Sequence, residues 1–130
     1  MITSTTEELP NPLRGEIWRV ALDPTLGSEL RKTRPVVVMS APGVGHASVR
    51  VCVPLTGWKP EHRRMFWCEC VVPDTINGLA KLSTADAAQV RTLGTVRFSE
   101  KLGVIAPDRL AAIAAAVALV VEYAPSAPTT

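Results

Sequence analysis

The sequence predicts a mainly β domain that ends in one helix. Three observations lead there. Short apolar runs of strand length, separated by turn residues, follow one another from about residue 16. An alanine-rich apolar segment with helix-start signals closes the chain. With 130 residues there is room for one modest core. Several strands at short spacing followed by a single helix suit a small barrel or a strongly curved sheet.

Residues 1–12 are Thr-, Glu- and Pro-rich without period, and are expected to form a flexible arm before a domain spanning 13–123. Ile17, Val20 and Leu22 stand apolar among polar neighbours in a first strand that Asp23-Pro24 closes. Residues 25–32 form a polar loop tethered between strands, a common place for binding chemistry. Pro35 can begin a strand because the first residue need not donate to the ladder, and Val36-Val37-Val38-Met39 is fully apolar. The glycines and proline of 41–46 mark a turn. A strand over 49–55 ends at Thr56-Gly57, residues 58–65 make a polar, basic loop, and 66–72 alternate as a further strand.

Residues 74–78 are expected to turn and 79–82 to form a short strand. Residues 85–93 stay ambiguous because alanine lowers their β propensity. Residues 99–102 are expected to make a single turn before Gly103. Pro107-Asp108 then opens a helix through Glu122, with proline in the first turn and a carboxylate at the positive end of the dipole. Leu110, Ile113, Val117 and Val120 (or Val121) form its stripe. Alanine fills most other positions, so the helix has more apolar surface than one small sheet can cover, which predicts self-association. The tail, 124–130, reads as disordered.

Composition narrows the function. With 47% hydrophobic and 20% charged residues the chain is globular, and its net charge of +2 does not by itself call for nucleic acid. The position of charge says more: Arg31, Lys32 and Arg34 cluster, as do Lys59, His62, Arg63 and Arg64. The N-terminus has no signal-peptide pattern, and the apolar run 110–121 is too short for a membrane span, so a cytoplasmic protein is expected. Cys68 and Cys70 share one face of a strand and, with Cys52, read as small core residues; no fourth ligand stands at zinc-finger spacing. There is no Walker loop, dinucleotide fingerprint or nucleophile elbow, and no cofactor is expected. His46 and His62 fall in loops and read as surface histidines.

One stretch is more specific. Arg14-Gly15-Glu16-Ile17-Trp18, then Leu22-Asp23-Pro24, Gly27-Ser28-Glu29 and Thr33-Arg34-Pro35-Val36-Val37-Val38 run without a gap. Pro54-Leu55-Thr56 and Gln89-Val90-Arg91-Thr92 follow in order. The chain resembles the MazF/PemK (Kid) toxins of type II toxin–antitoxin systems, over about residues 14–123. The resemblance implies an SH3-like barrel with a C-terminal helix (the fold shared with CcdB) and a homodimer. It also implies an endoribonuclease that cuts single-stranded mRNA without a metal, held in check by an acidic antitoxin.

The residue types suit that chemistry. Attack of a 2′-hydroxyl on its own phosphodiester needs alignment, proton transfer and stabilisation of extra negative charge, but no protein nucleophile. Arg34 offers a planar fork for two phosphate oxygens. Thr56 can donate to a third oxygen or orient the 2′-hydroxyl. The resemblance gives both residues such catalytic roles. The ordinary roles open to them are a salt bridge of Arg34 with Glu16 or Glu29, and a turn-capping hydroxyl at Thr56.

Ser28, Glu29, Arg31, Lys32, Gln89 and Arg91 are the candidate RNA-binding residues, with Glu29 also the nearest carboxylate in sequence. Gln89 can read a base edge, and Trp58, Phe66 and Trp67 can stack unpaired bases, whereas Trp18 reads as core. The chain departs from the family in two places. Ala88 and Asp86 stand where the Kid branch has its acid/base pair. Leu30-Arg31-Lys32 replaces Gln-Gly-Gly, which predicts a stiffer loop with tighter phosphate contact. Two readings compete with the nuclease: a gyrase poison of the CcdB kind, and a degenerate member that only binds RNA.

Overall fold

The computed structural model describes residues 9–22 and 32–124. Seven strands and one helix are present among them: β1 (Glu16–Ala21), β2 (Thr33–Val38), β3 (Val49–Gly57), β4 (Cys68–Val71), β5 (Ser83–Asp86), β6 (Arg91–Gly94), β7 (Phe98–Val104) and α1 (Pro107–Val120). The strands pair antiparallel in the order β4-β5-β3-β2-β1-β7, with β6 also on β3. The long β3 is the hinge of this arrangement. Its first half pairs with β6 and its second with β5, while β2 lies along its other edge. The outer strands β4 and β7 do not pair, so the sheet is not closed into a barrel.

Strand β2 buries both faces from Val36 to Val38, which is why it reads as a continuous apolar run. Ile17, Val37, Val53 and Leu55 point into one core, against Ile105 and Ile113, with Leu110 and Val117 of α1 packed on it. Val20, Val36, Val38 and Cys52 point the other way, against Leu93 and Phe98. Trp18 packs on the edge of this second core, its ring edge-on to Phe98 at 5.8 Å and its indole N–H bonded to Glu16.

Three expectations are corrected. Residues 99–102 belong to strand β7, not to a single turn. The segment looks polar because it pairs along only β1 and exposes Ser99, Glu100 and Lys101; all three bond back across the ladder, the Ser99 hydroxyl to the Arg19 carbonyl, Glu100 to the Arg19 side chain and Lys101 to Glu16. Residues 79–82 are not a strand; β5 begins at Ser83. Leu79 is buried by a side-chain device instead. The Asn77 carboxamide accepts from the N–H groups of Asp74 and Leu79 and donates to the carbonyl of Val72. Cys68 and Cys70 are not core residues: Cys70 is exposed and Cys68 half-buried. Both lie on the face of β4 opposite buried Val71, where they line an open cleft rather than the core.

The basic loop 58–65 contains a 3-10 turn, Pro60–Arg64. The ambiguous segment resolves into the end of β5, a 3-10 turn at Ala87–Gln89 and strand β6, so its second half is a strand.

Candidate functional site

Register brings the two candidate catalytic residues together. Val36 lies opposite Pro54 and Val38 opposite Cys52. Carried two residues further, the same register sets Arg34 opposite Thr56. Both side chains belong to the face that carries Val36, Val38 and Cys52. Thr56 is in turn paired with Thr84 of β5, and Thr84 with Cys70 of β4. A row Arg34–Thr56–Thr84–Cys70 therefore crosses four strands.

Arg34 and Thr56 also share a cleft of about 250 Å³ at the end of the sheet where β2 begins and β3 ends. Arg19 and Lys81 line it as well, and no carboxylate does among the described residues. Arg19 is tied to Glu100 at 3.1 Å, whereas among the described residues Arg34 and Lys81 have no carboxylate partner; Glu29, the other carboxylate considered for Arg34, lies outside the described residues. The ordinary role for Arg34 through Glu16 is not taken up. Glu16 is engaged by Lys101 at 3.0 Å and by the Trp18 indole. Burial alone pushes the Glu16 carboxyl up. The bonds from the Trp18 indole, the Leu13 N–H and Lys101 outweigh it and hold the group below its ordinary value of 4.5. Nor does Thr56 cap a turn: it sits inside β3, with no side-chain bond among the described residues.

The other candidates are scattered. Lys32 is exposed just before β2. Ser28, Glu29 and Arg31, with the loop expected to stiffen around Leu30-Arg31-Lys32, lie outside the described residues apart from Lys32. Arg91 is exposed opposite Cys52 on the same face as Thr56, but four residues away, roughly 13 Å along the strand. Gln89 is exposed at the end of a 3-10 turn that Asp86 caps by accepting from Ala88 N–H. Asp86 therefore has a structural task, and Ala88 brings no carboxylate.

Two residues were missed or undervalued in sequence. Lys81 reads as part of a strand, yet its ammonium stands beside Gly57, 3.4 Å from where a Cβ there would lie. His62 reads as a surface histidine, yet it is half-buried, with Nδ1 2.8 Å from Thr84 Oγ1 and accepting from Lys59 N–H at 3.1 Å. Nothing in the spacing of Lys81 or His62 reveals these contacts, because they arise from loops folding back on the sheet. Among the described residues no group of His, Cys, Asp and Glu could hold a metal ion, and no helix is long and apolar enough to cross a membrane.

An antiparallel sheet with one C-terminal helix, with an arginine and a threonine lining one cationic cleft, defines a class of small β proteins. The relatives are more specific. The PemK-like, MazF-like toxins of type II toxin–antitoxin systems match residues 13–121, and the chain belongs to this family. It is 33% identical over 113 residues to Endoribonuclease MazF9 of Mycobacterium tuberculosis, covering 82% of this chain and 92% of that one. A mycobacterial endoribonuclease solved with its cognate antitoxin has the same fold, with a TM-score of 0.67 at 23% identity over 88% of this chain and 99% of that one. So does MazF in a MazE–MazF crystal from Deinococcus radiodurans, with a TM-score of 0.67 at 19% identity over 88% and 100%.

Proposed function

We propose that this protein is the toxin of a toxin–antitoxin pair and cuts single-stranded RNA, mRNA foremost, at a short recognition sequence. The 2′-hydroxyl attacks the neighbouring phosphorus, the bond to the 5′-oxygen breaks, and the products carry a 2′,3′-cyclic phosphate and a 5′-hydroxyl. Arg34 holds two phosphate oxygens with its planar fork and stabilises the charge that builds in the phosphorane. Thr56, directly across the strand pair, donates to a third oxygen or orients the 2′-hydroxyl. Lys81 adds a second cation at the same cleft.

The observation that supports this reading best is the cleft itself: arginine and threonine line it together, with cations and, among the described residues, no carboxylate. The cations on this wall favour an anionic substrate. The naming of a relative at 33% identity as an endoribonuclease points the same way. The partners proposed are a second copy of the chain, joined through the apolar surface of α1, and a small acidic antitoxin whose carboxylates neutralise Arg34 and Lys81. The cytoplasm, where mRNA is, is the proposed location.

The test is incubation of the purified protein with long unstructured RNA in EDTA, followed by chemical mapping of the new ends. Cuts at one short motif with cyclic-phosphate ends support the proposal. Intact RNA across several unrelated sequences contradicts it, and gyrase-dependent DNA breaks would identify a gyrase poison instead.

A further inference from the structure

The row that carries Arg34 and Thr56 does not stop at the catalytic pair. One strand beyond Thr56, a second cleft of about 440 Å³ opens over Thr84, lined by Trp58, His62, Arg63, Cys68, Cys70 and Leu82. Its size is in the range of small-ligand sites. Thr56 and Thr84 are direct cross-strand partners, so the cleft begins about 5 Å from the catalytic threonine. Arg34 lies on the opposite side of Thr56. A strand of RNA with its phosphate on Arg34 and Thr56 therefore has a neighbouring base within reach of this cleft.

The lining has a definite polarity. The backbone N–H of Lys59 donates to His62 Nδ1, which makes Nδ1 the accepting nitrogen and Nε2 the one that carries a proton. The Thr84 hydroxyl, at 2.8 Å from the same nitrogen, holds the ring in place and leaves the Nε2–H edge for a ligand. The Arg63 guanidinium lies over the Trp58 ring, 5.6 Å from its centroid, and together they make a flat platform on which a base can stack. His62 and Arg63 both offer donors, and among the described residues no carboxylate or carboxamide lines the cleft to accept.

We infer that this cleft is the pocket for the base next to the cut bond, and that it selects a keto base, guanine or uracil, over adenine or cytosine. Guanine presents O6 and N7 as acceptors and uracil its carbonyl oxygens. At the same exocyclic position, where guanine has O6 and uracil O4, adenine and cytosine carry an amino donor that meets the His62 and Arg63 donors unfavourably. The inference takes its setting from the nuclease reading, but binding in the cleft is measurable without cleavage.

Two measurements test it together. Cut sites of wild type, His62→Ala and His62→Gln are mapped on a randomised RNA pool. Wild type is expected to favour G or U roughly tenfold at one position beside the cut, the size of one good base-edge contact. His62→Ala loses that preference at that position alone, and His62→Gln, whose amide keeps a donor, retains most of it. In parallel, GMP, UMP, AMP and CMP are titrated while the Trp58 indole and Arg63 side-chain N–H signals are followed by NMR. GMP and UMP are expected to shift them at about tenfold lower concentration than AMP and CMP. Unchanged preference in His62→Ala, or equal shifts from all four nucleotides, overturns the base pocket. Selective shifts without any RNA cutting would retain the pocket and remove the nuclease reading.

Discussion

Arg34 can be tested at the level of its geometry as well as its charge. Arg34→Lys keeps the cation but loses the fork that spans two phosphate oxygens, so cleavage is expected to fall by about tenfold or more, with RNA affinity affected less. A single-turnover rate beside a binding isotherm separates the two. The cysteines offer a second residue-scale check. Burial, against the opposing effect of Arg50 and Arg91, pushes the Cys52 thiol up to about 12, and burial with Asp86 and Glu69 nearby raises Cys68. Iodoacetamide at pH 8 is expected to label exposed Cys70 first, Cys68 more slowly, and Cys52 only after unfolding. Early labelling of Cys52 in the folded protein would contradict the second core.

At the scale of elements, the segment between β4 and β5 is the part held most by specific chemistry. Asn77 is buried and replaces a missing strand with three hydrogen bonds, so Asn77→Ala is expected to cost about 3 kcal/mol in denaturant unfolding. Gly78 follows at φ +69°, and a Cβ there would lie 2.0 Å from the Leu102 carbonyl oxygen. Gly78→Ala therefore costs about 2 kcal/mol or more, since β7 has to shift. This segment also shows why part of the fold was not legible in sequence. Strand β2 announces itself because both of its faces are apolar from Val36 to Val38. Strand β7 hides because it pairs on one edge and shows charge to water, and Leu79 looks like a strand residue although a carboxamide, not a ladder, buries it. The facing of Arg34 and Thr56 was legible once both were placed on strands. The position of Lys81 was not, because it depends on how a loop returns over Gly57.

For the whole molecule, surface and stability both carry expectations. Leu119, Val121 and Tyr123 are exposed at the end of α1, more apolar surface than a lone helix of a monomer usually shows. Analytical ultracentrifugation is expected to find a dimer, and Leu119→Glu to shift it towards monomer. A wild type that stays monomeric at micromolar concentration would remove the proposed dimer. Glu16 links β1 to β7 and has its carboxyl held low, so the charged form is favoured in the folded state. Its contribution is complete above the ordinary value of 4.5 and is lost as pH falls through the lower folded value. Glu16→Gln should flatten the acid side of the stability curve and leave the neutral region parallel to wild type.

The central claim is that Arg34 and Thr56 form one catalytic unit across β2 and β3. The most direct measurement is the RNA cleavage rate of wild type, Arg34→Ala, Thr56→Ala and the double variant in EDTA, each first shown to be folded by its unfolding transition. Each single variant is predicted to lose about 10²- to 10³-fold, and the double to lose little more than the worse single, because the two act on the same transition-state charge. Equal cutting by all four proteins would contradict the account and place the active site elsewhere.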